Sequence, residues 1–279
     1  MKKEQIKFNK NADQVLVKVI EHTKHNETEL LTVEIDLHRF IIAQVNTHRT
    51  FSRGYQSSRA MPILRQLEQV ENRPALPVYY GSASKGMVAG EELSQVKQDV
   101  AEAIILEMRD LVLERVKVLQ HLGVSKEIAN RYVEPWMMTK GIITATKEAW
   151  EGFFKLRCEY DAQPEIQILA NKIREGISSS EPRILSEGDW HLPYIEVSEG
   201  FCGQQLYYIE GKTVTLKEAI RASTAACAQV SYRTLSLDPD KVNSVYTMLK
   251  LPENGVYPEE APHFSASEHV SRAYRPYGS

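Results

Sequence analysis

Cysteine is scarce in this 279-residue chain: Cys158, Cys202 and Cys227 stand far apart, and none belongs to a CxxC or Cys/His pattern. This excludes a disulfide framework and a cysteine-based zinc site, so we expect a reducing, cytoplasmic compartment and no metal. Excess positive charge is also lacking, since the formal net charge is -3 at pH 7. The chain therefore has no general attraction to duplex nucleic acid, and any phosphate must be recognised by a local cluster of donors.

Long apolar runs are absent as well. No stretch approaches the ~20 apolar residues that span a bilayer, and the N-terminus lacks the apolar core of a signal peptide. We therefore expect no membrane association. A hydrophobic share of 42% and a charged share of 25% are those of an ordinary folded protein.

The pattern of apolar residues predicts several elements. Residues 30–46 are rich in β-branched and aliphatic side chains and predict a strand that leads into a second strand or a buried helix. Residues 90–122 lack proline and internal glycine and predict one long amphipathic helix. Its apolar positions are Val96, Val100, Ile104, Leu111, Val118 and Leu122. Further helices are expected at 125–133, 146–176, 216–230 and 240–250, with a long connection carrying short strands at 178–215.

The most unusual stretch is His48 to Arg59, which holds three arginines and three serines in twelve residues. An Arg guanidinium is a planar fork of donors that matches phosphate, and Ser hydroxyls and loop N–H groups supply further donors. The stretch therefore predicts either a site for phosphate or an anionic cofactor, or a solvated surface loop.

A second stretch runs from Phe153 to Ile166. Arg157 lies there within an otherwise apolar run, where a charge is costly unless it is paired. It is therefore either an ion pair with Asp161 or Glu165, or a donor that faces a ligand.

Both stretches are similar to motifs of the flavin-dependent thymidylate synthases. That family has an Arg-His-Arg, seven residues, Ser signature with an Arg two residues later, and His48-Arg49, Ser57 and Arg59 match it. The family also has a Leu-Arg, three residues, His-Ala-Gln-x-Glu-Ile element, which the 156–166 segment resembles. Between them, Gly123 to Pro135 resembles a third family element, with Arg131 displaced by one position.

Two further family elements stand at the other end of the chain. The family normally begins with an Ala-Arg-Val-Ser-Tyr strand and a His-x-Ser/Thr-Pro-Phe-Glu-His element, whereas here similar segments occur at 226–232 and 263–269. We infer a circular permutation, which is tolerated when chain termini lie close together at the surface. The resemblance then implies one α+β domain over 1–279, with a mixed or antiparallel sheet and long helices. Its parts are the family core 31–175, the connection 178–215 and the permuted family N-terminal segment 222–272.

The resemblance implies that the chain methylates dUMP to dTMP with FAD, methylenetetrahydrofolate and NADPH, in a homotetramer whose sites lie between subunits. A hydride from reduced flavin replaces the usual cysteine nucleophile, and Arg157, as the catalytic residue, favours the ionised pyrimidine. The nucleotide would be bound by Gln44, Ser57, Ser58, Arg59, Arg131, Arg157 and Asp161. The flavin or folate would be bound by His48, Arg49, Tyr55, Thr146, Lys147, Glu148, Ser231, His263, Ser265 and His269.

Four departures from the family motifs leave the substrate open. Thr47 replaces the first Arg, Gly54 and Tyr55 replace an Asn-Glu pair, and Asp161 replaces a His. A carboxylate accepts hydrogen bonds from an exocyclic amine. Asp161 therefore suggests an alternative function, a flavin-dependent methyl- or hydroxymethyltransferase of another pyrimidine nucleotide such as dCMP. A non-catalytic nucleotide-binding homologue is the remaining alternative.

Overall fold

The computed structural model describes residues 7–201, 203–231, 235–249 and 264–272. The strands are β1 (Leu16–His25), β2 (Thr28–His38), β3 (Ser52–Tyr55), β4 (Met138–Thr146), β5 (Arg183–Ile184), β6 (Trp190–His191), β7 (Glu196–Glu199), β8 (Gln205–Ile209), β9 (Lys212–Val214) and β10 (Ser271–Arg272). The α-helices are α1 (Ile42–Val45), α2 (Ile63–Asn72), α3 (Gln95–His121), α4 (Lys126–Ala129), α5 (Lys147–Arg157), α6 (Pro164–Ser178), α7 (Leu216–Ala228) and α8 (Pro239–Leu249). Short 3-10 helices span Lys10–Gln14, Arg39–Ile41, Asn130–Trp136, Gln229–Ser231 and Phe264–His269.

A five-stranded mixed sheet in the order β3-β4-β2-β1-β5 organises the molecule. Its pairs are antiparallel except for the parallel pair of β1 and β5. The expected α+β class, with a mixed sheet and long helices, is confirmed. Smaller sheets join β7-β8-β9 and β10-β6.

The two faces of the large sheet differ in chemistry because side chains alternate along a strand. On β2, Leu31, Val33, Ile35 and Leu37 are buried in one apolar cluster with residues of α5 and α6. The opposite face carries Thr32 and other polar groups, and it lies under residues of the C-terminal part of the chain. The apolar face anchors α5 firmly, with Trp150 and Phe153 fully buried.

Two elements depart from the sequence prediction, and a third, β4, was not predicted. Ser52–Tyr55 is a strand paired with β4, although 48–60 is predicted as a loop. β4 itself carries a weak strand signal because Gly141 interrupts it. A Cβ at Gly141 would lie 2.7 Å from the Tyr55 ring, so close packing of that ring requires glycine here. The helix expected up to Val133 becomes a 3-10 helix that continues through Pro135.

The predicted long helix is confirmed as α3, but the face that it buries against the protein is not the one expected. Its buried residues are Gln98, Leu113 and Val116. The apolar stripe that defines the helix in the sequence faces solvent instead. No helix within the described ranges has the length and apolar character needed to cross a bilayer.

Candidate active site

Arg157 is the last residue of α5 and projects toward α1 and the loop that follows it. Burial of Trp150 and Phe153 fixes the helix, and Pro164 opens α6 after a short turn. The guanidinium is therefore carried on a rigid element, which is a requirement for precise placement of a reactive group.

Three groups hold the Arg157 guanidinium. Its Nε donates to Nε2 of His48 at 3.1 Å, and Nη2 donates to Oγ1 of Thr47 at 3.0 Å and to the Gln44 carbonyl oxygen at 3.4 Å. Among the described residues, neither Asp161 nor Glu165 pairs with it, so the ion-pair alternative is wrong. Nη1 makes no bond within the described residues and is available to a ligand.

His48 accepts from Arg157, which defines its protonation state. Burial, followed by the positive charges of Arg157 and Arg53, lowers the pKa of the His48 imidazole below its ordinary value. The ring is therefore neutral at pH 7, and acceptance at Nε2 assigns its proton to Nδ1. The ring also packs edge-on against Phe153, with a centroid distance of 4.8 Å.

Gln44 and Gln163 connect this group to the protein body. The Gln44 side-chain amide donates to Oε1 of Gln163, whose Nε2 donates to Glu165 at 2.9 Å. Glu165 is buried and accepts from the Val78 backbone N–H at 3.2 Å. Sequence reasoning overlooked Gln163 as a site residue, although it stands within the motif that contains Arg157.

The arginines of the 48–59 stretch have different roles. Arg53 donates to the Asn46 side chain at 2.7 Å and to the backbone carbonyls of His48 and Phe51 at 3.1 and 2.7 Å. It therefore holds the loop in shape. Arg49 is exposed and has no bonded partner within the described residues, so its charge is free for an anion.

Ser58 and its neighbours form a second polar group. The Ser58 hydroxyl donates to Oε1 of Glu134 at 2.6 Å, and Arg39 pairs with the same oxygen at 3.2 Å. The Ser57 hydroxyl accepts from the Arg59 backbone N–H at 3.3 Å. The Arg59 guanidinium is exposed and only 3.5 Å from a Glu127 carboxylate oxygen, which is a weak surface contact.

A cleft of about 680 Å³ lies beside this second group. Its lining residues are Arg39, Phe40, Ile42, Arg131, Glu134 and Pro135. Arg131 is exposed and makes no ion pair within the described ranges. The cleft thus offers one free guanidinium and an apolar wall from Phe40 and Ile42, and α1 connects that wall to Gln44.

Other expected nucleotide and cofactor residues are exposed or have local partners. Asp161 is exposed, and no side-chain bond to it occurs in the described structure. Thr146 caps α5 by accepting from the Ala149 N–H at 3.4 Å, and Lys147 pairs with Glu29 at 2.8 Å. Glu148 is exposed on the first turn of the same helix.

Tyr55 is the last residue of β3 and pairs with Gly141 of β4. Burial raises the pKa of its phenol, and its hydroxyl has no hydrogen-bond partner among the described residues. A buried hydroxyl without a partner is costly in a folded protein. The Tyr55 hydroxyl is therefore a candidate contact for a bound group.

The C-terminal residues reach the same strands. The 3-10 helix Gln229–Ser231 contacts β3 and β4, and the 3-10 helix Phe264–His269, which contains Ser265, contacts both strands as well. A Cβ at Gly54 would lie 4.0 Å from Nε2 of His269. His263 lies outside the described residues.

His269 ends a chain of buried hydrogen bonds on the polar face of the sheet. Thr23 Oγ1 and Thr32 Oγ1 bond the two ring nitrogens of His191, each at 2.7 Å. Thr32 bonds Thr144 at 2.6 Å, and Thr144 bonds Nδ1 of His269 at 2.8 Å. Burial lowers the pKa of His191 to about 3 and that of His269 to about 4, so both rings are neutral.

A family model described as thymidylate synthase complementing protein matches residues 2–183. The chain belongs to this family. The resemblance seen in the motifs is thereby confirmed, and with it the class of enzyme, a flavin-dependent methyltransferase. The match covers Arg157 and the 48–59 loop and ends before the C-terminal segment.

Solved structures show distant likenesses. A UMP/dUMP methylase PolB from Streptomyces cacaoi, bound with 5-Br dUMP, is 14% identical, with a TM-score of 0.46 over 59% of this chain and 90% of that one. Thymidylate synthase X from Helicobacter pylori with FAD and dUMP is 19% identical, with a TM-score of 0.37 over 53% of this chain and 67% of that one. No curated protein matches the sequence.

Proposed function

We propose that this enzyme methylates a pyrimidine nucleotide monophosphate, dUMP to dTMP, with FAD, methylenetetrahydrofolate and NADPH, in the cytoplasm and as a homotetramer with sites between subunits. The observation that supports this most directly is the Arg157 guanidinium, held by three bonds and open at Nη1. A fixed planar cation of this kind suits a pyrimidine that ionises during the reaction.

Arg157 is the catalytic residue in this proposal. A donor aimed at a ring oxygen or nitrogen stabilises the ionised pyrimidine and so makes C5 more nucleophilic. Thr47 and His48 position the guanidinium, because their bonds restrict its rotation. Thr47 thus has a use in this chain, although it replaces the family's first Arg.

The nucleotide phosphate would be bound by Ser57 and Arg59, with Ser58 and Arg131 beside them. Arg59 and Arg131 both have exposed guanidiniums, and Arg131 lines the cleft next to Glu134. Glu134 already accepts from the Ser58 hydroxyl and pairs with Arg39, whose guanidinium offsets its charge. Gln44 would approach the pyrimidine from α1.

The residues present fit a flavin. The free Arg49 guanidinium suits its phosphates, and the neutral His48 ring and the Tyr55 hydroxyl on β3 belong to the same 48–59 stretch. Bound in the reduced form, flavin supplies the hydride that a cysteine-independent route needs. Cys158 is poorly suited to be the nucleophile of a cysteine-dependent route, because burial raises the pKa of its thiol.

One experiment tests the proposal. The purified protein should be yellow, and denaturation should release a chromophore with a flavin absorbance band. Turnover with dUMP, methylenetetrahydrofolate and NADPH should then yield dTMP. A colourless protein that binds dUMP without turnover would overturn the proposal and leave the non-catalytic homologue.

Asp161 supports a second candidate, a methyl- or hydroxymethyltransferase of dCMP. Its exposed carboxylate is unpaired within the described residues and follows Arg157 by four positions. A carboxylate accepts from the exocyclic amine of cytosine but repels the ionised uracil ring. Parallel assays with dUMP, UMP and dCMP decide between these substrates.

A further inference from the structure

The solvent-facing side of α3 carries a stripe of large apolar side chains. These are between 49% and 74% exposed, and they recur at intervals of three, four or seven residues along a helix of 27 residues and its C-cap, Leu122. The stripe consists of Val96, Val100, Ile104, Met108, Leu111, Val118 and Leu122. The helix is about 40 Å long, so this is a long apolar surface for a single chain.

The protein body uses the other side of α3. Leu113 and Val116 pack into a cluster with Leu67 of α2 and Val133. Helix formation and attachment of α3 are therefore secured without the stripe. An apolar stripe that the monomer does not need is a candidate contact surface.

The second half of the stripe has the spacing of a coiled-coil seam. From Ile104 the seam positions advance by four, three, four, three and four residues. They are Ile104, Met108, Leu111, Arg115, Val118 and Leu122. Alternating steps of three and four keep one edge of a helix facing a partner helix over several turns. Arg115 is the single charged residue in the seam.

We propose that a second copy of this chain covers the second half of the stripe, from Ile104 to Leu122, with the two α3 helices antiparallel. One register places a seam residue opposite a seam residue throughout: Ile104 faces Leu122 of the other copy, and Met108 faces Val118. In the same register Leu111 faces Arg115. The arrangement is two-fold symmetric, so each contact occurs twice.

Charge favours the antiparallel direction. Arg115 of one copy lies opposite Leu111 of the other, and Glu107 and Glu114 flank that position one turn away on either side. Both glutamates are exposed and unpaired within the described part of the chain. In a parallel pair with aligned seams, the two Arg115 side chains would face each other, and like charges there destabilise the contact.

The proposed contact between two copies depends only on the geometry of α3 and is independent of the proposed chemistry. Analytical ultracentrifugation of the full chain tests it. Leu111→Glu should halve the number of copies per particle and weaken association at least about 100-fold, because a charge enters the seam. Ile184→Glu, at an exposed apolar position on β5, is the matched control and should leave association unchanged.

Reversing the charges at Arg115, Glu107 and Glu114 tests whether the partner is a second copy and whether the two α3 helices are antiparallel. Arg115→Glu should weaken association, and adding Glu107→Lys and Glu114→Lys to it should restore association. Under mild oxidation, Met108→Cys with Val118→Cys in one chain should cross-link two copies, whereas either variant alone should cross-link no more than the unmodified chain. Far-UV circular dichroism checks that each variant keeps its helices.

The outcomes are distinct. A monomeric wild type, or a Leu111→Glu protein that assembles like the wild type, overturns the proposal. Cross-linking of the single Met108→Cys variant as strong as that of the double variant overturns the antiparallel register. Flavin content and turnover are separate readouts, so failure of the proposed chemistry would not affect these results.

Discussion

Arg157 donates a hydrogen bond of 3.1 Å to the Nε2 atom of His48, joining the end of α5 to a loop that lies more than a hundred residues earlier. The bond places a permanently charged donor against a neutral imidazole. Two sequence motifs of the family thereby meet at one point. Arg157 and His48 are the pair on which the proposed chemistry depends.

Replacing Arg157 by Lys should leave the fold intact and lower turnover by about 10²-fold or more. An ammonium is a point charge and cannot reproduce the planar donor geometry that contacts His48 and Thr47 together. The measurement is kcat for the folded variant, compared with Arg174→Lys at an exposed position of α6. Turnover close to wild type in the Arg157 variant would remove it from the site.

Thr47 offers a test of positioning. Thr47→Val removes the hydroxyl that accepts from Nη2 of Arg157 at 3.0 Å while keeping the side-chain shape. A hydrogen bond to a charged group contributes about 1.5–3 kcal/mol, so kcat should fall by about 10-fold or more. Thr47→Ser should restore most of it. Equal losses in both variants would argue for a packing role instead.

Sequence reasoning could identify Arg157 but could not choose between its two roles. The motif singles out the residue, whereas the absence of an ion pair depends on where Asp161 and Glu165 point. Glu165 is occupied by Gln163 and the Val78 N–H, and Asp161 faces solvent. Such choices follow from tertiary packing and have no local pattern.

The polar face of the sheet was not predictable for a related reason. The sequence around His191 predicts a loop, and Thr23, Thr32 and Thr144 are ordinary strand residues. Their hydrogen bonds join positions more than a hundred residues apart. The stripe on α3 shows the opposite case, because its period predicts a helix correctly but does not say which face the protein buries.

Arg59 tests the phosphate site. Arg59→Ala should weaken nucleotide binding by about 1.5–3 kcal/mol if the guanidinium contacts phosphate. The unfolding free energy should barely change, since the only described ion pair of Arg59 is the exposed contact with Glu127. Glu127→Gln is the control and should keep or tighten binding, measured by calorimetry with dUMP. Unchanged affinity in Arg59→Ala would support the plain surface loop.

The two buried histidines predict acid sensitivity. His191 and His269 are neutral in the fold, with pKa values lowered by burial to about 3 and about 4. In the unfolded chain each takes up a proton below its ordinary pKa of about 6.5, so protons favour unfolding. Stability is therefore full above that pH and falls as the pH decreases.

Between about pH 6 and pH 5, each ring should lower the free energy of unfolding by at most about 1.4 kcal/mol. His269→Asn removes one titrating ring and keeps a group that can bond Thr144, so the slope should shrink. Denaturant melts at several pH values measure it, with the exposed His121→Asn as control. An unchanged slope in His269→Asn would exclude this ring as a source.

The permutation remains a prediction, and truncation tests it. The 3-10 helix Phe264–His269 contacts β3 and β4, and His269 bonds Thr144 at 2.8 Å, so this segment forms part of the wall beside the 48–59 loop. If 222–272 is the displaced N-terminal segment of the family, removing residues 264–279 should abolish flavin binding. Removing only 273–279, beyond the proposed segment, should preserve the yellow colour. A chain ending at 263 that still folds, assembles and holds flavin would contradict the part of the permutation that places 264–272 in the flavin site, because that site would then need nothing from the 3-10 helix Phe264–His269.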